Sequence, residues 1–173
     1  NWNVIPVDEH WVRLPKNRFH TVFANDIKED AKAAWTNYFG KRGIATSTYY
    51  LDSIVDLVKL HKENGMPVFP ENIDIVTGGF PCQDFSVAGK RQGFDSDKSH
   101  TGKKIVDSNT PSVESRGQLY MWMREVISVT QPKVFIAENV KGLANLGDVK
   151  AIIEHDFSTI SENGYLVVPA RVL

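Results

Sequence analysis

Apolar positions along the chain alternate between two periods. His20-Thr21-Val22-Phe23-Ala24 is a short apolar-rich run ending on Asn25-Asp26, and it reads as a buried strand. From Lys28 to Phe39, Ala31, Ala34, Trp35 and Tyr38 recur at helical spacing, and Gly40 supplies a stop. The helical period returns from Asp52 to Asn64 with Ile54, Val55, Leu57, Val58 and Leu60, closed by Gly65 and Pro67. Ile73 to Thr77 is a short strand pattern running into Gly78-Gly79. Further on, Gln118 to Thr130 reads as a helix and Lys133 to Ala137 as a strand. Asp148 to Asn163 reads as a helix with Val149, Ile152, Ile153, Phe157 and Ile160 on one face and Gly164 as its cap; Tyr165 to Val168 begins a last strand.

Strand and helix alternating in this way predict an α/β domain, a parallel sheet with helices on both faces. Ligands of such sheets bind beyond the C-terminal ends of the strands. Three polar clusters fall just there: Asn25-Asp26, Pro81-Cys82-Gln83 and Glu138-Asn139. The stretch from Ser86 to Ser115 is rich in Gly, Ser, Asp and Lys without an apolar period, and a loop of that length points to function. With no internal repeat and no linker, the 173 residues read as one domain.

Composition narrows little. Apolar residues make up 42% and charged residues 24%, ordinary for a globular protein. No apolar run approaches the length of a membrane span, and no secretory leader pattern opens the chain, so the expected location is cytoplasmic. A net charge of −1 gives no sign of the basic surface typical of dedicated DNA-binding domains. The single cysteine excludes an intrachain disulfide and leaves no thiol cluster for a metal, so no metal is expected.

A lone cysteine is usually a buried, inert side chain, and its neighbourhood has to argue otherwise. In Gly78-Gly79-Phe80-Pro81-Cys82-Gln83-Asp84-Phe85-Ser86, two glycines let the backbone turn and approach a ligand, and Pro81 fixes the chain before the thiol. In Phe135-Ile136-Ala137-Glu138-Asn139-Val140, a carboxylate directly follows a strand, a position that asks for a partner or a task. A strand-to-loop turn and a solvent-facing acid are the plain readings of the two taken separately.

Together, the Gly79-to-Gln83 string followed downstream by Glu138-Asn139-Val140 resembles the paired signature of the DNA (cytosine-5)-methyltransferases. Ala88-Gly89-Lys90-Arg91-Gln92-Gly93-Phe94 and Arg116-Gly117-Gln118-Leu119-Tyr120 match in the family's order, and Val22-Phe23-Ala24-Asn25-Asp26 resembles its ribose-binding strand. The resemblance implies a Rossmann-like fold dependent on S-adenosylmethionine, with double-stranded DNA as partner. It implies Cys82 as the nucleophile that adds to cytosine C6 and Glu138 as the group on the N3–N4 edge. For the cofactor it implies Asp26 on the ribose hydroxyls, Ile27 against the adenine where many relatives carry an aromatic residue, and Asp52-Ser53 near the adenine amino group. Gly79, Pro81 and Leu119 complete that set; Asp52 reads equally as a helix N-cap and Leu119 as a core residue. A flipped base is implied because C5 is inaccessible within a duplex. Gln83, Ser86, Lys90, Arg91 and Asn139 are the expected DNA contacts, in or beside a loop whose residues 94–114 exceed the usual length.

The family's glycine-rich first motif has no match here, since residues 1–19 hold no glycine and read as an insertion or connector. Its recognition domain and C-terminal motifs are unmatched too, so residues 1–173 read as a partial catalytic domain, weak or inactive by itself. Two alternatives stand beside this reading. One is a truncated non-catalytic homologue acting as an interaction module, and the other is the same chemistry on tRNA.

Overall fold

Short apolar runs and amphipathic helices fold into parallel strand pairs backed by helices. The computed structural model describes residues 4–13, 15, 17–80, 119–145 and 149–172. Among these the order is β1 (Ile5–Pro6), β2 (Val12–Arg13), β3 (Ala24–Asn25), α1 (Glu29–Gly40), β4 (Tyr49–Tyr50), α2 (Ile54–Glu63), β5 (Ile75–Gly79), α3 (Tyr120–Thr130), β6 (Val134–Glu138) and α4 (Val149–Ser158). None of the described helices is long and apolar enough to cross a membrane.

The parallel pairing is found; a continuous sheet is not. β3 pairs β4 in parallel, Ala24 opposite Tyr49 and Asn25 opposite Tyr50. β5 pairs β6 in parallel from Ile75 opposite Val134 to Gly79 opposite Glu138. Among the described residues these ribbons share no ladder. β1 and β2 form an antiparallel hairpin within the segment expected to be a connector.

Among the described residues, helices cover one face of the β5–β6 ribbon. On the covered face Val76, Phe80 and Phe135 pack against a core of Tyr120, Met123 and Ile127 from α3 with Ile153 and Phe157 from α4. Gly78 belongs to that face because a Cβ there would lie 3.1 Å from Met123 Sδ. The other face leaves Ile75, Val134 and Ile136 at 38%, 51% and 56% exposure. A second cluster joins Leu57 and Val58 of α2 to Val68, Phe69 and Val126, with Phe23, Tyr50 and Val76 against it.

Element ends follow local chemistry. The run from His20 is not the buried strand expected: Val22 is 54% exposed and pairing begins only at Ala24. Ser53, not Asp52, caps α2, its Oγ accepting from Val55 N at 3.3 Å. α4 stops at Ser158, earlier than the periodicity predicts, and Ser161 and Gly164 then take left-handed φ of 75° and 62°. Tyr165 N donates back to Ser158 O at 3.1 Å, closing the helix end. The predicted strand from Tyr165 to Val168 does not pair; Leu166 is 96% exposed, and Tyr165 is held by its hydroxyl on Pro132 O at 2.8 Å.

Candidate active site

Both ribbons end on polar residues, so their C-terminal exits gather the candidate groups. At the first exit, Asp26 N donates to Tyr50 O at 3.4 Å and Asp26 Oδ1 accepts from Lys28 N at 2.9 Å. That second bond settles the start of α1, whose first turn carries Glu29 and Asp30 in favourable alignment with the helix dipole. Beside this exit lies an open cleft of about 430 Å³, lined by Thr21, Phe23, Ala24, Asn25, Asp26, Ala31, Trp35, Tyr49 and Thr77. Thr77 belongs to β5, so the cleft runs between the ribbons. Burial first, and then the charge of Asp26, raise the Tyr49 hydroxyl above its ordinary pKa.

Asn25 stitches this exit together. Its Nδ2 donates to Tyr50 O at 3.1 Å and to Asp52 O at 2.8 Å. Asp52 is thereby tied by its backbone to the strand bearing Asp26. Ser53 is buried beneath it, and Ile27 stands 49% exposed beyond Asp26. Leu119 is buried at the start of α3 and does not line the cleft.

At the second exit Glu138 stands opposite Gly79 in register. Its Oε2 lies 3.4 Å from the point a Cβ on Gly79 would occupy, so the missing side chain leaves the carboxylate room. Glu138 is exposed, on the same face as Ile136. Asn139 points the other way: its Nδ2 donates to Phe80 O at 3.0 Å and its Oδ1 accepts from Val140 N at 2.8 Å. This places on the neighbouring strand an amide expected to meet DNA. Pro81, Cys82, Gln83, Ser86, Lys90 and Arg91 lie outside the described residues.

The whole stretch carrying these groups matches one family, the C-5 cytosine-specific DNA methylases, over residues 12–172. The chain belongs to that family. Among relatives, the Type II methyltransferase M.Sau96I of Staphylococcus aureus is 42% identical over 82 residues, covering 47% of this chain and 15% of the relative. M.HpaII of Haemophilus parainfluenzae is 43% identical over 76 residues, 44% of this chain and 16% of its own length. M.NgoFVII of Neisseria gonorrhoeae is 33% identical over 134 residues, 76% of this chain and 27% of its own. The chain therefore spans a small part of these DNA methylase relatives.

The sequence pattern placed Asp26 and Glu138 at strand exits, as the structure does, and did not single out the residues that wall the cleft. Trp35 and Ala31 were assigned only to the helical apolar face, although they line the cleft, and Thr77 only to a strand. Trp35 also packs on Tyr49, with ring centroids 5.3 Å apart. None of the α1 residues is fully buried, and an apolar helical period in sequence looks the same for a cleft wall as for a core face.

Proposed function

We propose that this chain carries the cofactor and catalytic groups of an enzyme that methylates C5 of cytosine in DNA. The observation supporting it most is the parallel register that sets Glu138 against Gly79, three residues before Cys82, in a chain of the C-5 cytosine-specific DNA methylase family. The cleft beside Asp26 suits S-adenosylmethionine: a carboxylate acceptor for vicinal hydroxyls next to Phe23, Ala31 and Trp35 as flat or small apolar walls. When bound, that cofactor supplies an electrophilic methyl group.

Cytosine C5 is a weak nucleophile, and the proposed chemistry overcomes this covalently. The Cys82 thiolate adds to C6, pushing electrons to C5 while Glu138 meets the N3–N4 edge of the ring. C5 then takes the methyl group, a base removes the C5 proton, and Cys82 leaves from C6 with the restored double bond. Asp26 holds the ribose, with Asp52 and Ser53 near the adenine, Ile27, Gly79 and Pro81 around the cofactor, and Gln83, Ser86, Lys90 and Arg91 toward the DNA. The base has to leave the duplex for this chemistry. Such an enzyme works on genomic DNA in the cytoplasm of a bacterial cell.

The test is a denaturing gel after incubation with duplex DNA carrying 5-fluorocytosine and S-adenosylmethionine. Fluorine blocks the final elimination, so a covalent band that vanishes in Cys82→Ala is expected. A chain that forms no band, even when supplied with the remainder of a related enzyme, is an interaction module instead. A band on tRNA and not on DNA reassigns the substrate.

A further inference from the structure

The two strand exits share a device. In each ribbon an asparagine sits where one strand ends, and its amide donates to backbone carbonyl oxygen at the exit of the paired strand. Asn25 reaches Tyr50 O and Asp52 O, at 3.1 and 2.8 Å. Asn139 reaches Phe80 O at 3.0 Å. Past a strand end the backbone ladder gives out, at the first exit after one long bond from Asp26 N to Tyr50 O at 3.4 Å. A side-chain donor there extends the pairing by a residue or two.

We infer that Asn25 and Asn139 are positioning residues, Asn25 for the cofactor end of the site and Asn139 for the cytosine end. The inference rests on the function proposed above. Asn139 adjoins Glu138 and grips Phe80, the residue two positions before Cys82. Its bond therefore fixes how far the nucleophile's strand stands from the acid's strand. Its other amide atom is committed as well, since Oδ1 accepts from Val140 N at 2.8 Å. Turning the amide over would set oxygen against the Phe80 carbonyl, so both bonds select one orientation. From the far side Phe80 meets the Tyr120 ring at 6.1 Å, so it is gripped by its carbonyl and braced by its side chain. Asn25 does the same between Asp26 and Asp52, the two acids assigned to the cofactor, and touches neither carboxylate in doing so.

Aspartate is the discriminating substitution. Asn139→Asp keeps the shape and the acceptor for Val140 N but turns the donor into an oxygen facing the Phe80 carbonyl. Asn25→Asp does likewise against Tyr50 and Asp52. In the full chain, Asn139→Asp is expected to slow formation of the 5-fluorocytosine adduct about ten- to a hundredfold, the scale of a displaced reacting group. Its dissociation constant for S-adenosylmethionine, measured by calorimetry, should stay unchanged. Asn25→Asp is expected to weaken S-adenosylmethionine about tenfold, the loss of two ordinary hydrogen bonds, with the adduct rate at saturating cofactor preserved. Two variants that depress both quantities together, or neither, would overturn the assignment. Amide hydrogen exchange decides the point independently of activity. Faster exchange confined to Asp26 in one variant, and to Gly79, Phe80 and Asn139 in the other, upholds the clamps even if the unaltered chain forms no adduct and the proposed reaction fails. Uniform or absent change removes them.

Discussion

Glu138 and Gly79 face each other across the β5–β6 register, the Glu138 Oε2 3.4 Å from where a Gly79 Cβ would stand. An alanine there only touches the carboxylate, whereas a branched side chain displaces it. Gly79→Val is expected to cut the rate of adduct formation about a hundredfold, while the melting temperature stays close to that of the parent. An unchanged rate would separate Glu138 from the reaction.

Gly164 is held by conformation and by space. At φ 62° a Cβ would fall 2.7 Å from Ser158 O. Gly164→Ala should destabilise by about 2 kcal/mol, a fall of roughly 4–8 °C in a chain of this size. Gly40→Ala is the control, since a Cβ there meets nothing within 4 Å. Calorimetric melts that fail to separate the two variants would refute the account of the α4 terminus.

Ser53 and Asp52 should separate stability from binding. Ser53→Ala removes the α2 cap and should cost about 1 kcal/mol in chemical denaturation. Asp52→Ala leaves the cap and the carbonyl bound by Asn25 intact, so stability should hold while affinity for S-adenosylmethionine drops. The reverse pattern would make Asp52 a structural residue.

Alkaline stability should depend on Tyr120. Burial, and then its hydrogen bond to Asp156 Oδ2 at 2.7 Å, raise its pKa well above the ordinary 10.0, with Arg124 opposing. The unfolded chain releases that proton near pH 10.0 and the folded chain retains it, so the stabilisation is complete below that pH and declines above it. Tyr120→Phe is expected to lose about 1 kcal/mol at neutral pH and to show a shallower decline above pH 10.0. Some slope should remain, because burial raises Tyr165 in the same direction. An identical alkaline profile in the two proteins would rule this out.

Helices were legible because their signals are local. Ile54, Val55, Leu57 and Val58 announce α2, and Gly164 announces the end of the last helix within a few residues. Strand burial was not legible, because it depends on what lies across the face. Val22 and Ile136 look like core residues in sequence and stand open here, since no described element covers them. The placing of Asp26 and Glu138 at strand exits was legible. The asparagines beside them were not, because a terminal amide looks the same whether it faces solvent, a nucleic acid or a neighbouring carbonyl. Only the register of the ribbon tells these apart.

The seam between the two ribbons sets a length. A backbone ladder would hold neighbouring strands about 4.8 Å apart whatever their side chains. Among the described residues no such ladder joins β3 to β5; beside the open cleft, side chains of both ribbons share one hydrophobic cluster. Phe23 leans on Phe69 with centroids 5.3 Å apart, and Val76 packs against both hydrophobic clusters. A gauge made of side chains is reset by a single substitution. Trimming Phe69 or enlarging Val76 would alter the reach from Asp26 to Glu138 with both acids intact, and turnover would then be lost to dimension, not to chemistry.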